Sequence, residues 1–296
     1  MYCRIPPGAP AIPLGGEIVT ALSASAVAAY RERGYHFPVP VFTAEEAAAL
    51  HDRLRAIEAR SGGRLERWMN RKPHLIFPWL DAVVRNPKVL DAVEAVLGPN
   101  ILCWNSQFFA KQPGDGSFVS WHQDATYWGL SEPDVVTAWI AFTPSTPESG
   151  CMRVVPGTHR SQIKHTDTFD EKNLLTRGQE VAAKVDDREA VDVILRPGEM
   201  SLHHVLIVHG SNPNASPKPR VGFAIRYIPT YVRQIVGEAD CASLVRGVDT
   251  HGHFELESPP KSELDPADVE RHRRMIDRQQ KILYTGAARP GRRIPV

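Results

Sequence analysis

A histidine and a carboxylate two residues apart constrain this sequence more than any other feature. They are His122 and Asp124, within Ser-Trp-His-Gln-Asp at positions 120–124. Because successive residues of a β-strand point to opposite faces, both side chains should face one cavity and Gln123 should face away. A second histidine, His209, lies far downstream in Val-His-Gly-Ser. It could complete a cluster with the first two residues.

Two histidines and one carboxylate are a ligand set typical of non-haem Fe(II) that binds O2 and a substrate at its open positions. The sequence therefore predicts an iron-dependent oxygenase with His122, Asp124 and His209 as metal ligands. The His-x-Asp pattern alone is weak, since surface histidines and turn aspartates match it by chance. The aromatic residues around it, and a later strand that ends in a histidine, strengthen the prediction.

An arginine follows the second histidine at a short distance. Arg220 lies 11 residues after His209 (220 − 209), and an antiparallel return would carry it alongside the strand that ends at His209. A guanidinium binds a carboxylate through two hydrogen bonds and stays charged when buried. Arg220 could therefore hold the far end of a dicarboxylate cosubstrate that chelates the metal. A surface ion pair is the alternative.

Length, charge and cysteine spacing limit the class of protein. The 296 residues could form two domains or one large β-barrel. A net charge of +1 gives no basic stripe for nucleic acid and no polybasic patch for a membrane surface. The four cysteines are widely spaced, which favours a reducing, cytoplasmic location over a disulfide framework. Neither a signal peptide nor a membrane-spanning stretch is recognisable.

Hydrophobic periodicity predicts the order of the elements. Helices are expected at residues 23–34, 43–60 and 87–97, and a last helix at residues 265–284. Strands dominate residues 101–229.

Two of the expected strands carry candidate site residues. One covers residues 118–125 and includes the His-x-Asp motif, and the other covers residues 200–208. On a continuous strand His203 lies in phase with His209, so both should face the same side. A long polar excursion at residues 157–190 is typical of a lid or a binding loop.

Helices at the N-terminal end, a run of strands and a terminal helix predict a mainly β protein with flanking helices, an α+β arrangement. A jelly roll of two sheets would suit this size. We expect residues 1–16, rich in Pro and Gly, to form a flexible N-terminal arm. Residues 17–296 should form a single domain with a helical buttress and a C-terminal helix, because no repeat or composition shift divides them.

The sequence resembles the phytanoyl-CoA dioxygenase family of 2-oxoglutarate-dependent Fe(II) oxygenases over roughly residues 27–230. Besides the two histidine segments and Arg220, the resemblance rests on residues 150–159 and on residues 196–199, which lead into His203-His204. It implies a double-stranded β-helix core, which is a jelly-roll or cupin-like fold. It also implies Fe(II) as cofactor, with 2-oxoglutarate and O2 as cosubstrates.

The resemblance assigns roles to individual residues. It implies that His122, Asp124 and His209 are the iron ligands. It implies that Arg220 pairs with the distal carboxylate of 2-oxoglutarate, assisted by the hydroxyl of Ser211. Further cosubstrate contacts match the family by position, and they are Trp139, Asn105, Gln107 and Lys72.

The implied reaction oxidises a C–H bond of a small molecule while 2-oxoglutarate is decarboxylated to succinate and CO2. Halogenating relatives have a small residue at the position of Asp124, so its carboxylate favours hydroxylation or another oxidation. Arg226 could hold a substrate carboxylate or phosphate, although a structural ion pair is the commoner role. The aromatic residues expected around the substrate pocket indicate a moderately apolar substrate. Residues expected near the substrate are Thr126, Tyr127, Trp128, Arg153 and His203.

Two other functions fit part of the pattern. A metallo-hydrolase could hold zinc with the same ligands, but it gives Arg220 no role and offers no general base beside the metal. A non-catalytic jelly-roll module would keep the histidine cluster for structure and would not bind the cosubstrate. Arg220 and Ser211 favour the oxygenase. The expected partner is a small molecule, without nucleic acid or membrane, and the sequence does not indicate an oligomeric state.

Overall fold

The computed structural model describes residues 22–288. The predicted arm at residues 1–16 lies outside this range. The elements follow one another in the order α1 (Ala24–Arg33), β1 (Tyr35–Pro40), α2 (Ala44–Arg60), α3 (Pro78–Val84), α4 (Pro87–Leu97), β2 (Ile101–Lys111), β3 (Val119–His122), β4 (Val136–Ala141), β5 (Arg153–Val155), β6 (His165–Asp167), β7 (Gln179–Val181), β8 (Val191–Asp192), β9 (Glu199–His204), β10 (Val208–Ser211), β11 (Arg220–Pro229), β12 (Cys241–Arg246), β13 (Glu255–Leu256) and α5 (Pro266–Leu283).

The helices begin and end where their capping residues predict. Ser23 caps α1 by accepting a hydrogen bond from a backbone N–H of the first turn, and Gly34 ends it with φ 85°. Thr43 and Glu46 form the predicted capping box of α2, with hydrogen bonds of 3.2 and 2.8 Å. The predictions of α1, α2, α4 and α5 are confirmed. The short helix α3 was not predicted.

Two sheets form the centre of the fold. The larger has seven strands in the order β1-β9-β4-β11-β2-β12-β13, and the smaller has four in the order β3-β10-β5-β8. β6 and β7 form a separate pair. Apolar side chains from both sheets meet in one cluster, for example Ala141 of β4 with Val154 of β5. The protein therefore has the predicted jelly-roll core with flanking helices.

Alternation along β11 separates the helical layer from the interior of the jelly roll. Val221, Phe223, Ile225 and Tyr227 belong to the cluster that packs under the N-terminal helices. The residues between them line the cavity that faces the smaller sheet, and they include Arg220, Ala224 and Arg226. A central strand thus carries two arginines towards the interior.

Two expected strands are shorter than the sequence indicated. β3 ends at His122, and Asp124 begins a 3-10 turn. The Asp124 N–H donates to the Val205 carbonyl at 3.0 Å instead of continuing the ladder. Likewise, the expected strand at 200–208 is two strands, because β9 ends in a turn at residues 205–207 and β10 joins the other sheet. His203 and His209 therefore lie on different strands, and the prediction that they share one continuous strand is wrong.

The polar excursion at residues 157–190 is fastened to the strand that carries His122. Ser120 Oγ donates to the Gln179 carbonyl at 2.6 Å and accepts from Asn173 Nδ2 at 2.8 Å. Side chains of this excursion consequently line the approach to the interior of the jelly roll. Within residues 22–288, no helix is long and apolar enough to span a membrane.

A buried ion pair joins the loop before α3 to the residue that follows β13. Lys72 Nζ lies 2.6 Å from Glu257 Oε1, and both side chains are 0% exposed. Ser243 Oγ donates to the other oxygen of Glu257 at 2.7 Å. Lys72 also donates to the Cys241 carbonyl at 2.7 Å. Each charged group thus has partners, which is the condition for such a pair to be tolerated in a core.

Replacing Glu257 with alanine is expected to lower the free energy of unfolding by about 3–5 kcal/mol, because the ammonium of Lys72 would stay buried without a counter-charge. Urea denaturation followed by far-UV circular dichroism measures the change. Glu255→Ala is the matched control, since that carboxylate is 57% exposed in its pair with Arg278 and should change stability by less than about 1 kcal/mol. Equal effects of the two substitutions would contradict the prediction.

Candidate active site

The three candidate metal ligands come together where the two short strands pair. His122 of β3 is the register partner of His209 of β10, and their ring centroids are 4.1 Å apart. Asp124 follows in the 3-10 turn. One ligand atom from each of the three lies within 4.8 Å of the others, and all three residues are buried. This group could hold a metal ion.

Hydrogen bonds fix which nitrogen of each histidine faces the cluster. His122 Nδ1 lies 2.9 and 3.0 Å from the carbonyls of Ser120 and His209. His209 Nδ1 lies 3.0 Å from the Ile207 carbonyl. Because a carbonyl oxygen only accepts, both Nδ1 atoms carry hydrogen, and the two Nε2 lone pairs are free to bind a metal.

The spacing of His122 and Asp124 suits a shared metal ion. His122 Nε2 lies 3.2 Å from Asp124 Oδ1. Two ligand atoms at right angles, each about 2.1 Å from one ion, would be roughly 3 Å apart. The distance therefore matches neighbouring positions in a coordination sphere.

Burial and neighbouring groups keep Asp124 and His209 in the protonation states that a metal requires. Burial raises the pKa of Asp124, but the adjacent imidazole of His122 and the charge of Arg226 outweigh it and hold the pKa below its ordinary value. Burial, followed by the proximity of His122, holds the pKa of His209 well below its ordinary range. The aspartate is thus ionised and His209 is neutral near pH 7.

The side chain of Arg220 faces the same cavity and has no counter-ion among residues 22–288. Its side chain is buried, and its guanidinium carbon lies 5.2 Å from the ring centroid of Trp139. Its Nε donates no hydrogen bond, and it forms no ion pair with any residue from 22 to 288. Burial lowers its pKa to about 10, so the group is charged at neutral pH.

The cavity between Arg220 and the histidine cluster has unsatisfied polar atoms along its length. His203 Nδ1 and Thr137 Oγ1 are buried without partners, as is Arg220 Nε. Unpaired buried polar groups are costly unless a ligand completes them. A dicarboxylate that chelates a metal at one end and reaches Arg220 at the other fits this arrangement.

Gly222 explains how Trp139 can lie beside Arg220. The two residues are on adjacent strands, and the indole of Trp139 occupies the space that a Cβ at position 222 would need. Any larger residue would displace the ring. The glycine therefore lets the indole pack flat against β11 at the level of the arginine.

Lys111 is a site residue that sequence analysis missed. It is fully buried and is the register partner of Arg220. Its ammonium donates to Ser211 Oγ at 2.6 Å and to the Asn212 carbonyl. The sequence offered one indication of this role. Lys111 is an even number of residues from Asn105 and Gln107 on the same strand, so the three side chains should point to the same face. Lys111 thus fixes the hydroxyl of Ser211 and adds a second cation at this end of the cavity.

Replacing Lys111 with methionine should change how stability depends on pH. Burial and then Arg220 lower the pKa of Lys111 from 10.5 to about 7. Between these values the unfolded chain holds a proton that the folded protein has released. The free energy of unfolding should therefore rise with pH across this window in the wild type, by at most about 1.4 kcal/mol per pH unit.

Urea denaturation at several pH values from 7 to 9.5 (about half a unit apart) would measure this rise. The difference between wild type and Lys111→Met isolates the contribution, because other groups titrate in both proteins. Parallel curves for the two proteins would contradict the assignment of a lowered pKa to this lysine.

The structure places several predicted residues around the metal cluster. Trp139, Ser211 and His203 line the inner cavity. His203 reaches it although its strand belongs to the other sheet, with its ring 4.9 Å from that of His209. Burial lowers the pKa of His203 to about 4, so it is neutral near pH 7. A neighbouring chamber, which opens outwards from Asp124, is lined by four further predicted residues, Asn105, Gln107, Tyr127 and Trp128.

Three predicted site residues do not line either cavity. Lys72 is engaged by Glu257, as described above. Arg153 forms ion pairs with Asp187 and Asp192 at 3.3 and 3.2 Å and stacks on Trp121.

Thr126 is the third of these residues. Its hydroxyl donates to the Gln123 carbonyl at 3.3 Å and lies 3.0 Å from His165 Nδ1. These contacts account for Lys72, Arg153 and Thr126, and the structure corrects the predictions that placed them at the cosubstrate or the substrate.

Comparison with known proteins agrees with this geometry. The family described as phytanoyl-CoA dioxygenase matches residues 30–222. A curated relative named "Probable alpha-ketoglutarate-dependent hypophosphite dioxygenase", from Stutzerimonas stutzeri, is 29% identical over 67% of this chain and 76% of its own length.

Solved structures extend the similarity to nearly the whole fold. The apo form of the non-heme monooxygenase ThoJ is 36% identical, with a TM-score of 0.77, over 88% of this chain and 98% of its own. "CytC3 with Fe(II) and alpha-ketoglutarate" is 27% identical, with a TM-score of 0.60, over 83% of this chain and 99% of its own. With more than half of its residues matched, this chain belongs to the phytanoyl-CoA dioxygenase family.

Proposed function

We propose that this protein is a non-haem Fe(II), 2-oxoglutarate-dependent dioxygenase that hydroxylates a C–H bond of a small molecule. One observation carries the proposal. Arg220, a buried arginine without a counter-ion among residues 22–288, faces the same cavity as the cluster of His122, Asp124 and His209. A metallo-hydrolase or a structural metal site gives that cation no evident role.

The cluster supplies three protein ligands to Fe(II). With only three protein ligands, Fe(II) held by His122, Asp124 and His209 would remain open to 2-oxoglutarate and O2. Bound Fe(II) supplies the activation of O2 that oxidises both 2-oxoglutarate and the substrate. The Nδ1–H bonds to backbone carbonyls hold both imidazoles in position for this role.

The residues at the far end of the cavity orient the cosubstrate. Arg220 binds its distal carboxylate, Ser211 donates a hydroxyl hydrogen bond, and Lys111 fixes that hydroxyl from behind. Trp139 forms a flat wall beside the carbon chain. Apolar side chains such as Met152 and Leu175 exclude water around the reacting atoms.

Hydroxylation is favoured over halogenation because Asp124 retains its carboxylate. A halide would need the coordination position that this oxygen occupies. The Asp124 carboxylate is turned towards the cluster, with Oδ1 3.2 Å from His122 Nε2.

The test is turnover of the purified protein with Fe(II), 2-oxoglutarate and O2. We expect succinate to form slowly without a primary substrate and faster with one. The product should gain one oxygen atom from ¹⁸O2, and added chloride should not enter it. A product that loses two hydrogens or gains chlorine would contradict hydroxylation. Absence of succinate with the metal bound would contradict the whole proposal.

A further inference from the structure

A chain of cavities leads from the surface to the metal cluster. The outer cavity has a volume of about 570 Å³. It shares Arg71, Gln107 and Thr176 with the chamber beside Asp124. That chamber in turn shares Phe109 and Arg226 with the inner cavity. A substrate approaching the metal would therefore pass Arg71 first and Arg226 last.

Arg226 is buried at the last of these junctions without an ion-pair partner. Its side chain is 6% exposed, and neither Nε nor Nη1 donates a hydrogen bond. Among residues 22–288 no carboxylate forms an ion pair with it. The guanidinium instead lies between two aromatic rings, 5.5 Å from Phe109 and 5.6 Å from Trp128. The structural ion pair considered for this arginine is absent from the described part of the chain.

Arg71 places a second cation in the same chamber. Its guanidinium donates to Thr176 Oγ1 at 3.0 Å, and the described residues offer it no carboxylate in an ion pair. Burial lowers its pKa, the nearby Tyr284 opposes this shift, and the charges of Arg226 and Arg67 lower the pKa further. Two mutually repelling cations in a shielded chamber are unfavourable unless an anion lies between them.

The other charged groups of the chamber do not neutralise this pair. Arg177 has its own partner, since its Nε lies 2.8 Å from Asp167 Oδ2 and its guanidinium stacks on Tyr127. Asp124 is near Arg226, but its oxygen belongs to the metal cluster. No ion pair within residues 22–288 neutralises Arg71 or Arg226, and an anionic ligand would supply that charge.

We propose that Arg226 and Arg71 bind an anionic group of the primary substrate, either a carboxylate or a phosphoryl group. The proposal rests on the proposed function only in taking the molecule in this chamber to be the substrate. A guanidinium recognises either anion through two parallel hydrogen bonds. Phe109 and Trp128 restrict the plane of the Arg226 guanidinium, so the anion would fix the orientation of the substrate carbon presented to the metal.

Anion binding can be measured without knowing the substrate. Isothermal calorimetry would titrate butyrate, methylphosphonate and uncharged butyramide into protein saturated with Ni(II) and 2-oxoglutarate. Occupation of Arg220 by the cosubstrate leaves the chamber as the remaining anion site. We expect saturable binding of at least one anion and no detectable binding of butyramide. Tighter binding of butyrate would indicate a carboxylate site, and tighter binding of methylphosphonate would indicate a phosphoryl site.

Single variants then locate the site. Arg226→Gln and Arg71→Gln should each weaken anion binding by about tenfold or more, because a charge-assisted pair of hydrogen bonds is lost. The matched control is Arg274→Gln, whose guanidinium is 67% exposed and which should leave the affinity unchanged. Arg226→Gln should also retain its affinity for 2-oxoglutarate within about twofold and should not lower the melting temperature, since an uncompensated buried charge is removed.

A parallel titration separates this inference from the proposed function. Metal-free protein with both Arg220→Gln and Lys111→Met lacks the two cations at the cosubstrate end of the cavity, so its anion binding reports the chamber even if Ni(II) and 2-oxoglutarate fail to bind. Equal binding of butyramide and butyrate, no saturable anion binding, or full anion affinity in Arg226→Gln would overturn the inference. A tenfold loss of 2-oxoglutarate affinity in Arg226→Gln with butyrate affinity intact would also overturn it.

Discussion

Replacing His209 with alanine is expected to abolish succinate formation and to weaken metal binding by several hundredfold. Structural zinc sites with four protein ligands bind with roughly 10–16 kcal/mol, which is about 3–4 kcal/mol per ligand; a loss of this size corresponds to several hundredfold in affinity. The substitution also removes the ring that contacts both His122 and His203. Metal content after dialysis and the rate of succinate release measure the two effects.

The fold should survive this substitution. The backbone of His209 keeps its ladder bonds to β3 and β5, which do not depend on the imidazole. His251→Ala is the matched control, because His251 is exposed and lies outside both cavities. It should bind metal and form succinate as the wild type does. Normal metal affinity in His209→Ala, with a native circular dichroism spectrum, would contradict the ligand assignment.

Arg220→Gln is expected to weaken 2-oxoglutarate binding by about a hundredfold or more. The variant loses two charge-assisted hydrogen bonds to the distal carboxylate, each worth about 1.5–3 kcal/mol. Metal binding should be unaffected, because Arg220 contacts none of the three ligand residues. Removal of an unpaired buried charge should also leave the melting temperature unchanged or higher.

Arg220→Lys should recover only part of the lost affinity, since an ammonium cannot reproduce the planar two-pronged contact. Arg188→Gln is the control, because the Arg188 side chain is 89% exposed and pairs with Asp186 at the surface. Titration of Fe(II)-loaded protein with 2-oxoglutarate in the absence of O2 measures all four affinities. Equal affinities of Arg220→Gln and wild type for 2-oxoglutarate would show that its distal carboxylate does not bind at Arg220.

Local chemistry made much of the fold predictable from the sequence. Capping residues such as Ser23 and Thr43 mark the helix starts because their side chains replace missing backbone partners. The candidate ligand cluster was predictable only from several features together, because the His-x-Asp spacing is common by chance and gains weight from the aromatic residues around it and from a later strand that ends in a histidine. The family motifs added its third member, which lies on a strand of the same small sheet.

Tertiary contacts decided what the sequence could not show. The turn at residues 205–207 sends β10 to the other sheet, yet packing between the sheets still brings His203 to the cluster. Lys72 is drawn away by Glu257, a partner 185 residues distant in the chain. A moderately apolar substrate was expected, but Arg71 and Arg226 face the chamber beside Asp124 without an ion pair to any residue from 22 to 288. Their missing partners become visible only once the surrounding side chains are placed.

We propose that one cavity holds both Fe(II) and 2-oxoglutarate, with Arg220 at the far end. Anaerobic addition of Fe(II) and then 2-oxoglutarate should produce the weak visible charge-transfer band of a chelated keto acid. The band should saturate at low 2-oxoglutarate in the wild type and need about a hundredfold more in Arg220→Gln. Fe(II) binding without any band would contradict the claim, because the metal would then sit in a site that does not receive the cosubstrate.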